Sequence, residues 1–160
     1  MTAFGKLCLF ATVACAVASM HTTNLVQFGD MIRCLTDKSF ITSFWDYSGY
    51  GCWCGLGGKG TPKDGTDECC KIHDKCYDAA TDSGVCPFQA YVYVVLYISA
   101  TYDCGNPNAA ATCMKAEDYG RFRLWTKCSE AICECDRAAA ECFAANDFDQ
   151  SLKNWDKDSC

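Results

Sequence analysis

The sequence predicts a mainly α-helical domain held together by disulfides, with two long helices running antiparallel. Three observations predict it. A helical stretch from Asp67 to about Thr81 carries Cys69 and Cys76, and stops near Asp82-Ser83-Gly84. The run from Leu124 to about Asn146 is alanine-rich, lacks Gly and Pro, and carries Cys135 and Cys142. The members of each pair are seven residues apart, nearly two helical turns, so each pair lies on one face. In antiparallel order Cys69 meets Cys142 and Cys76 meets Cys135; both pairs of numbers sum to 211, so a single register satisfies both cross-links.

The beginning of the chain sets its compartment. Met1 and Lys6 precede an apolar run from Leu7 to Ala18 that closes with the small residues Ala16-Val17-Ala18. That is the pattern of a secretory signal peptide over residues 1–19, too short to span a bilayer. His21-Thr22-Thr23 is then either a short propeptide or the first of the mature residues, and 24–160 form one domain with room for a core. No later stretch qualifies as a spanning helix; the next most apolar run, Tyr91 to Ile98, has eight residues. Removing the signal takes Cys8 and Cys15 from sixteen cysteines and leaves fourteen. An even number in a secreted, extracellular chain reads as seven disulfides, although counting alone leaves the pairing open. A zinc cluster would want paired C-x₂-C units, and the sequence has none. Lys6 leaves with the signal, so the formal charge moves from −6 to about −7 and argues against nucleic acid as a partner.

The remaining elements follow in order. From Asn24 to Leu35 the apolar residues fall at 25, 28, 32 and 35, the period of a short amphipathic helix. Phe40 to Tyr50 is aromatic-rich and leads into YGCWCGLGGKG, a glycine loop held by Cys52 and Cys54. Tyr91 to Tyr97 has the composition of a strand, and Cys104-Gly-Asn-Pro-Asn has turn chemistry.

The chemistry gathers between residues 50 and 77. Glycine tolerates φ > 0, so the loop can turn several carbonyl oxygens inward. Carbonyls facing the Asp74 carboxylate make an all-oxygen cage that suits Ca²⁺ better than Zn²⁺ or Mg²⁺. In the register above, His73 looks at the partner helix near position 138, and Asp136 is half a turn away. A carboxylate that accepts from one ring nitrogen fixes the tautomer and leaves the other nitrogen as a base. No G-x-S-x-G elbow accompanies the pair, so water is the expected nucleophile. A histidine between packed helices is ordinarily a satisfied core residue. The Cys-Cys-x-x-His-Asp-x-Cys context favours the base instead.

These residues carry a resemblance. YGCWCGLGG, then CCKIHDKCY, then ICECDRAAAECF closely resemble the secreted, calcium-dependent phospholipase A2 family, in its group I, pancreatic and elapid-like branch. The likeness runs from NLVQFGDMIRC to Cys160. It implies the disulfide-rich phospholipase A2 fold: two long antiparallel helices, an N-terminal helix, a calcium loop and a small β-wing. It also implies the bridges Cys34–Cys104, Cys52–Cys160, Cys54–Cys70, Cys86–Cys128 and Cys113–Cys133, beside the two given by register. By resemblance one Ca²⁺ per subunit is held by the main-chain carbonyls of Trp53, Gly55 and Gly57 and by Asp74. His73 would be the general base, Asp136 would orient it, and Tyr77 would support the pair. The Gly55 N–H would stabilise the oxyanion.

The same likeness implies hydrolysis of the sn-2 acyl ester of a glycerophospholipid. Leu25, Phe28 and Ile32 match the acyl-chain channel, and Phe44, Trp45 and Leu56 match the rim that docks peripherally on phospholipid aggregates. Three departures stand out. Trp53 replaces the usual loop tyrosine. The second supporting tyrosine, four residues before Cys104, falls on Ala100, with Tyr97 or Tyr102 as substitutes. The segment between Cys113 and Cys128 is longer than the pancreatic pattern and carries Tyr119, Phe122 and Trp125, which suggests a solvent-facing or lipid-facing excursion. The alternative function is a non-catalytic relative acting as a toxin, a structural module or a binder of an unidentified receptor. Such relatives lose the histidine or the aspartate, and both are intact here.

Overall fold

The structure is a computed structural model and describes residues 24–36, 46–121 and 123–160. The expected signal and propeptide, and the rim residues Phe44 and Trp45, lie outside the described residues.

Residues 24–36 form α1, which turns Met31, Ile32 and Cys34 into the core and leaves Leu25 and Val26 exposed. The first long helix, α2, spans Gly65–Asp82. Asp64 caps it, its side chain accepting from the Asp67 N–H, and the acidic residues Asp67 and Glu68 sit in the first turn where the helix dipole favours them. It ends at Gly84, whose φ of +73° lets its N–H reach back to the Thr81 carbonyl. The second long helix, α3, spans Thr126–Ala144 and buries Ile132, Asp136, Ala139, Ala140 and Phe143. Alanines along the seam let the two backbones approach closely.

The bridges Cys69–Cys142 and Cys76–Cys135 pin α2 to α3 in antiparallel register, each with Cα atoms 5.7 Å apart. Three more bridges tie outlying segments to this pair, Cys54–Cys70, Cys86–Cys128 and Cys113–Cys133, while Cys34–Cys104 joins α1 to the hairpin turn and Cys52–Cys160 joins the glycine loop to the last residue. Each such cross-link restricts the unfolded chain and is worth about 2–4 kcal/mol, a large addition for so small a core.

The small sheet is an antiparallel hairpin of β1 (Ser99–Tyr102) and β2 (Ala110–Cys113), with Ser99 opposite Cys113 and Tyr102 opposite Ala110. The predicted turn chemistry at Cys104-Gly-Asn-Pro-Asn joins the two strands, with Gly105 at φ +76°. The strand expected over Tyr91–Tyr97 does not form. Gln89–Tyr93 is a 3₁₀ helix, and the N–H groups of Val94 and Val95 both turn back to the Tyr91 carbonyl. Val92, Val95 and Tyr97 are buried, a three-then-two spacing that a turn followed by extended chain satisfies and a straight strand does not.

One residue fastens the glycine loop to α2. Asp67 is fully buried and accepts from the backbone N–H groups of Cys52 (2.7 Å), Trp53 (2.7 Å) and Lys63 (2.9 Å). Gly51 makes this possible: its φ is +54°, and a Cβ there would lie 2.3 Å from the Asp67 carboxyl carbon. Asp67→Ala strands three backbone donors at a buried site. The expected loss is about 3–5 kcal/mol, read from chemical unfolding of the oxidised protein. A change under about 1 kcal/mol would show that water replaces the carboxylate.

Candidate active site

The cross-links that set the helix register bring His73 on α2 to Asp136 on α3, with Nε2 2.7 Å from Oδ1. Asp136 is fully buried, so its charge needs partners. It has them. The Tyr77 hydroxyl donates to Oδ1 at 2.6 Å and the Tyr97 hydroxyl donates to Oδ2 at 2.6 Å. Burial, reinforced by Asp136, holds both phenols well above their usual range, so they stay protonated donors. An ionised Asp136 can only accept, so Nε2 carries the proton and Nδ1 keeps its lone pair. The Phe28 ring stacks on the imidazole with centroids 4.8 Å apart and planes 12° from parallel. Tyr77 flanks it at 4.4 Å. The ring is therefore fixed from three sides, with its side chain 14% exposed.

Of the two substitutes, Tyr97 and Tyr102, the second donor is Tyr97. Ala100 lies in β1 opposite Thr112 and does not take part. Tyr97 stands seven residues before Cys104, so counting back four stops short of it. Tyr102 is exposed on the same strand.

His73 and Asp74 open into a cavity of about 510 Å³. Its walls include Leu25, Phe28 and Ile32 from α1, Gly55, Leu56 and Gly57 from the loop, and Tyr77, Tyr93 and Phe143. Leu56 stands at the mouth, 89% exposed. Trp53 is not in the wall, but its backbone is tied to Asp67. Tyr93, which the sequence reading passed over, sits where the 3₁₀ turn meets the cavity and packs edge-on against Tyr77. Only its place in that misread segment could have pointed to it.

The cavity also offers a cation site. Asp74 is half-buried, and burial pushes its carboxyl up from the ordinary value. Among the described residues no hydrogen-bond donor reaches it. A carboxylate in that condition is relieved by a cation. Across from it, Gly55 and Gly57 take φ of +96° and +76°, as a loop turning its carbonyls needs. The loop already gathers one positive charge: the Lys157 ammonium donates to the carbonyls of Cys54 (3.1 Å) and Leu56 (3.3 Å). No group of three His, Cys, Asp or Glu among the described residues could hold a metal. The donors here are one carboxylate and peptide oxygens, a hard set that fits Ca²⁺.

Comparison with known proteins gives the family. The family model described as Phospholipase A2 matches residues 25–153. The chain belongs to the phospholipase A2 family. Phospholipase A2 AP-PLA2-I from Acanthaster planci is 42% identical over 155 residues, covering 93% of each chain. AP-PLA2-II from the same organism is 40% identical over 163 residues, covering the whole of both. A basic phospholipase A2 from Micrurus corallinus is 38% identical over 137 residues, covering 86% of this chain and 81% of the snake protein. The chain is thus an enzyme of this family, mainly helical and rich in disulfides, as its sequence predicts. No helix among the described residues is long and apolar enough to cross a membrane.

Proposed function

We propose that the enzyme is a secreted, calcium-dependent phospholipase A2 that releases the sn-2 fatty acid of glycerophospholipids and leaves a lysophospholipid. The observation that carries this reading is the cavity of about 510 Å³ that His73 and Asp74 share with the apolar side chains of Leu25, Phe28 and Ile32. His73 takes a proton from water at Nδ1 as the oxygen attacks the ester carbonyl. The imidazolium that forms is balanced by Asp136, held in turn by Tyr77 and Tyr97. The proton then passes to the leaving alkoxide. Leu25, Phe28 and Ile32 bind the acyl chain and exclude water, and the Gly55 N–H faces the developing oxyanion. Asp74 and the carbonyls of Trp53, Gly55 and Gly57 would hold calcium, which would supply Lewis-acid polarisation of the ester and a counter-charge to the phosphate.

Leu56, with Phe44 and Trp45, rests on the lipid surface. The net negative charge points to apolar contact rather than attraction to anionic headgroups. Vesicles of phosphatidylcholine labelled separately at sn-1 and sn-2 test the whole reading. Release of the sn-2 label alone, present with Ca²⁺ and absent in excess EGTA, is expected. Release from sn-1, or release untouched by EGTA, would overturn it.

A further inference from the structure

Of the three groups that donate to Asp136, Tyr97 alone stands off the two long helices. Its position depends on residues 94–98, which lie between the 3₁₀ turn and β1. From α1 the Asn24 and Gln27 amides donate to the Val95 and Tyr97 carbonyls, and the Met114 N–H donates to the Ile98 carbonyl at 2.9 Å. The peptide groups on both sides of Tyr97 are also held by side chains of the segment between Cys113 and Cys128 and of the start of α3. The Leu96 carbonyl accepts from Arg123 Nη2 at 2.9 Å and from Ser129 Oγ at 2.8 Å. The Ile98 N–H donates to the Tyr119 hydroxyl at 2.9 Å. The Arg123 guanidinium lies over the Tyr119 ring, 5.0 Å from its centre, so the two side chains act as one unit. Tyr119 is buried, not the outward-facing residue of an exposed excursion.

We propose that the lengthened segment is a brace for Tyr97, with Tyr119 and Arg123 as positioning residues that act through Tyr97 on Asp136 and so on His73. Two side-chain hydrogen bonds with the segment, one of them from a charged donor, add to the hold of α1 on the backbone on either side of Tyr97. Restraint there keeps the phenol in line with Oδ2, while Tyr77 and His73 remain fixed by α2. The inference rests on the reading that Asp136 must hold His73 for hydrolysis.

A double-mutant cycle tests it. Tyr119→Phe, Arg123→Met and their combination are prepared alone and with Tyr97→Phe. Hydrolysis of a monomeric short-chain phosphatidylcholine is measured for each. The combined brace variant is expected to lower kcat about three- to tenfold with KM unchanged. It should add nothing in the Tyr97→Phe background. Arg123→Lys should restore part of the loss.

If the brace variants lower activity as much without the Tyr97 hydroxyl as with it, their role is stability and the proposal fails. If Tyr97→Phe has its effect and the brace variants have none, the brace fails alone. If Tyr97→Phe itself leaves kcat unchanged, the supporting-tyrosine reading fails and the brace with it. Should Arg123→Met not fold, Tyr119→Phe deletes a single oxygen and carries the cycle unaided.

Discussion

His73→Gln lowers hydrolysis by at least about 10²–10⁴-fold while the protein stays folded. The amide is close in size to imidazole and can still donate to Asp136, so the buried carboxylate keeps its third partner. What it loses is a lone pair basic enough to take a proton from water. The loss is therefore chemical rather than structural, and it falls on kcat with little change in KM. Fatty-acid release from phosphatidylcholine vesicles reads the first part, and thermal unfolding monitored by circular dichroism reads the second. Residual activity within about tenfold of the parent would remove His73 from the role of base.

Asp74→Asn abolishes the response to Ca²⁺ and, in chelator at neutral pH, leaves the protein at least as stable as the parent. The sign follows from burial, which raises the Asp74 carboxyl in the folded state. A raised value means that the protonated form favours folding. That contribution is full below the ordinary carboxylate range and is lost as pH rises through the raised value. At neutral pH the ionised group is thus a cost that a neutral amide removes. Bound Ca²⁺ offsets the same cost in the parent: at a concentration one hundred times its Kd it adds about 2.7 kcal/mol. Tm measured with Ca²⁺ and with EGTA should rise for the parent and stay level for Asp74→Asn. Equal rises would place the ion elsewhere. The same raised value makes Ca²⁺ affinity fall on acidification at a higher pH than an ordinary aspartate would.

The parts of the molecule governed by helical period were legible in the sequence. Cys69, Cys76, Cys135 and Cys142 encode a register, and the contact of His73 with Asp136 follows from it because both side chains ride on rigid helices. The apolar spacing of α1 marks the helix, but of its four positions only Ile32 is buried; Leu25 and Phe28 line the cavity instead. What lay outside that logic was carried by irregular backbone. Tyr91–Tyr97 has β-branched and aromatic residues, yet their composition does not reveal that the neighbouring hairpin leaves them no partner strand. Tyr97 stood level with Tyr102 because seven residues, not four, separate it from Cys104. Asp67 gave one signal, an acid in the first turn of α2 beside a loop full of free N–H groups, but its three acceptor contacts depend on how that loop folds back. The contacts of Tyr119 and Arg123 join segments more than twenty residues apart and have no local signature.

The Cys52–Cys160 bridge reaches across 108 positions, farther than any of the other six. Of the two bridges that hold the glycine loop, Cys54–Cys70 closes 16 positions and Cys52–Cys160 closes 108. Closing the longer one from the reduced chain works against the largest loop-closure entropy of the seven. The loop's second tether is therefore the bridge whose formation gains most from the rest of the fold already being in place.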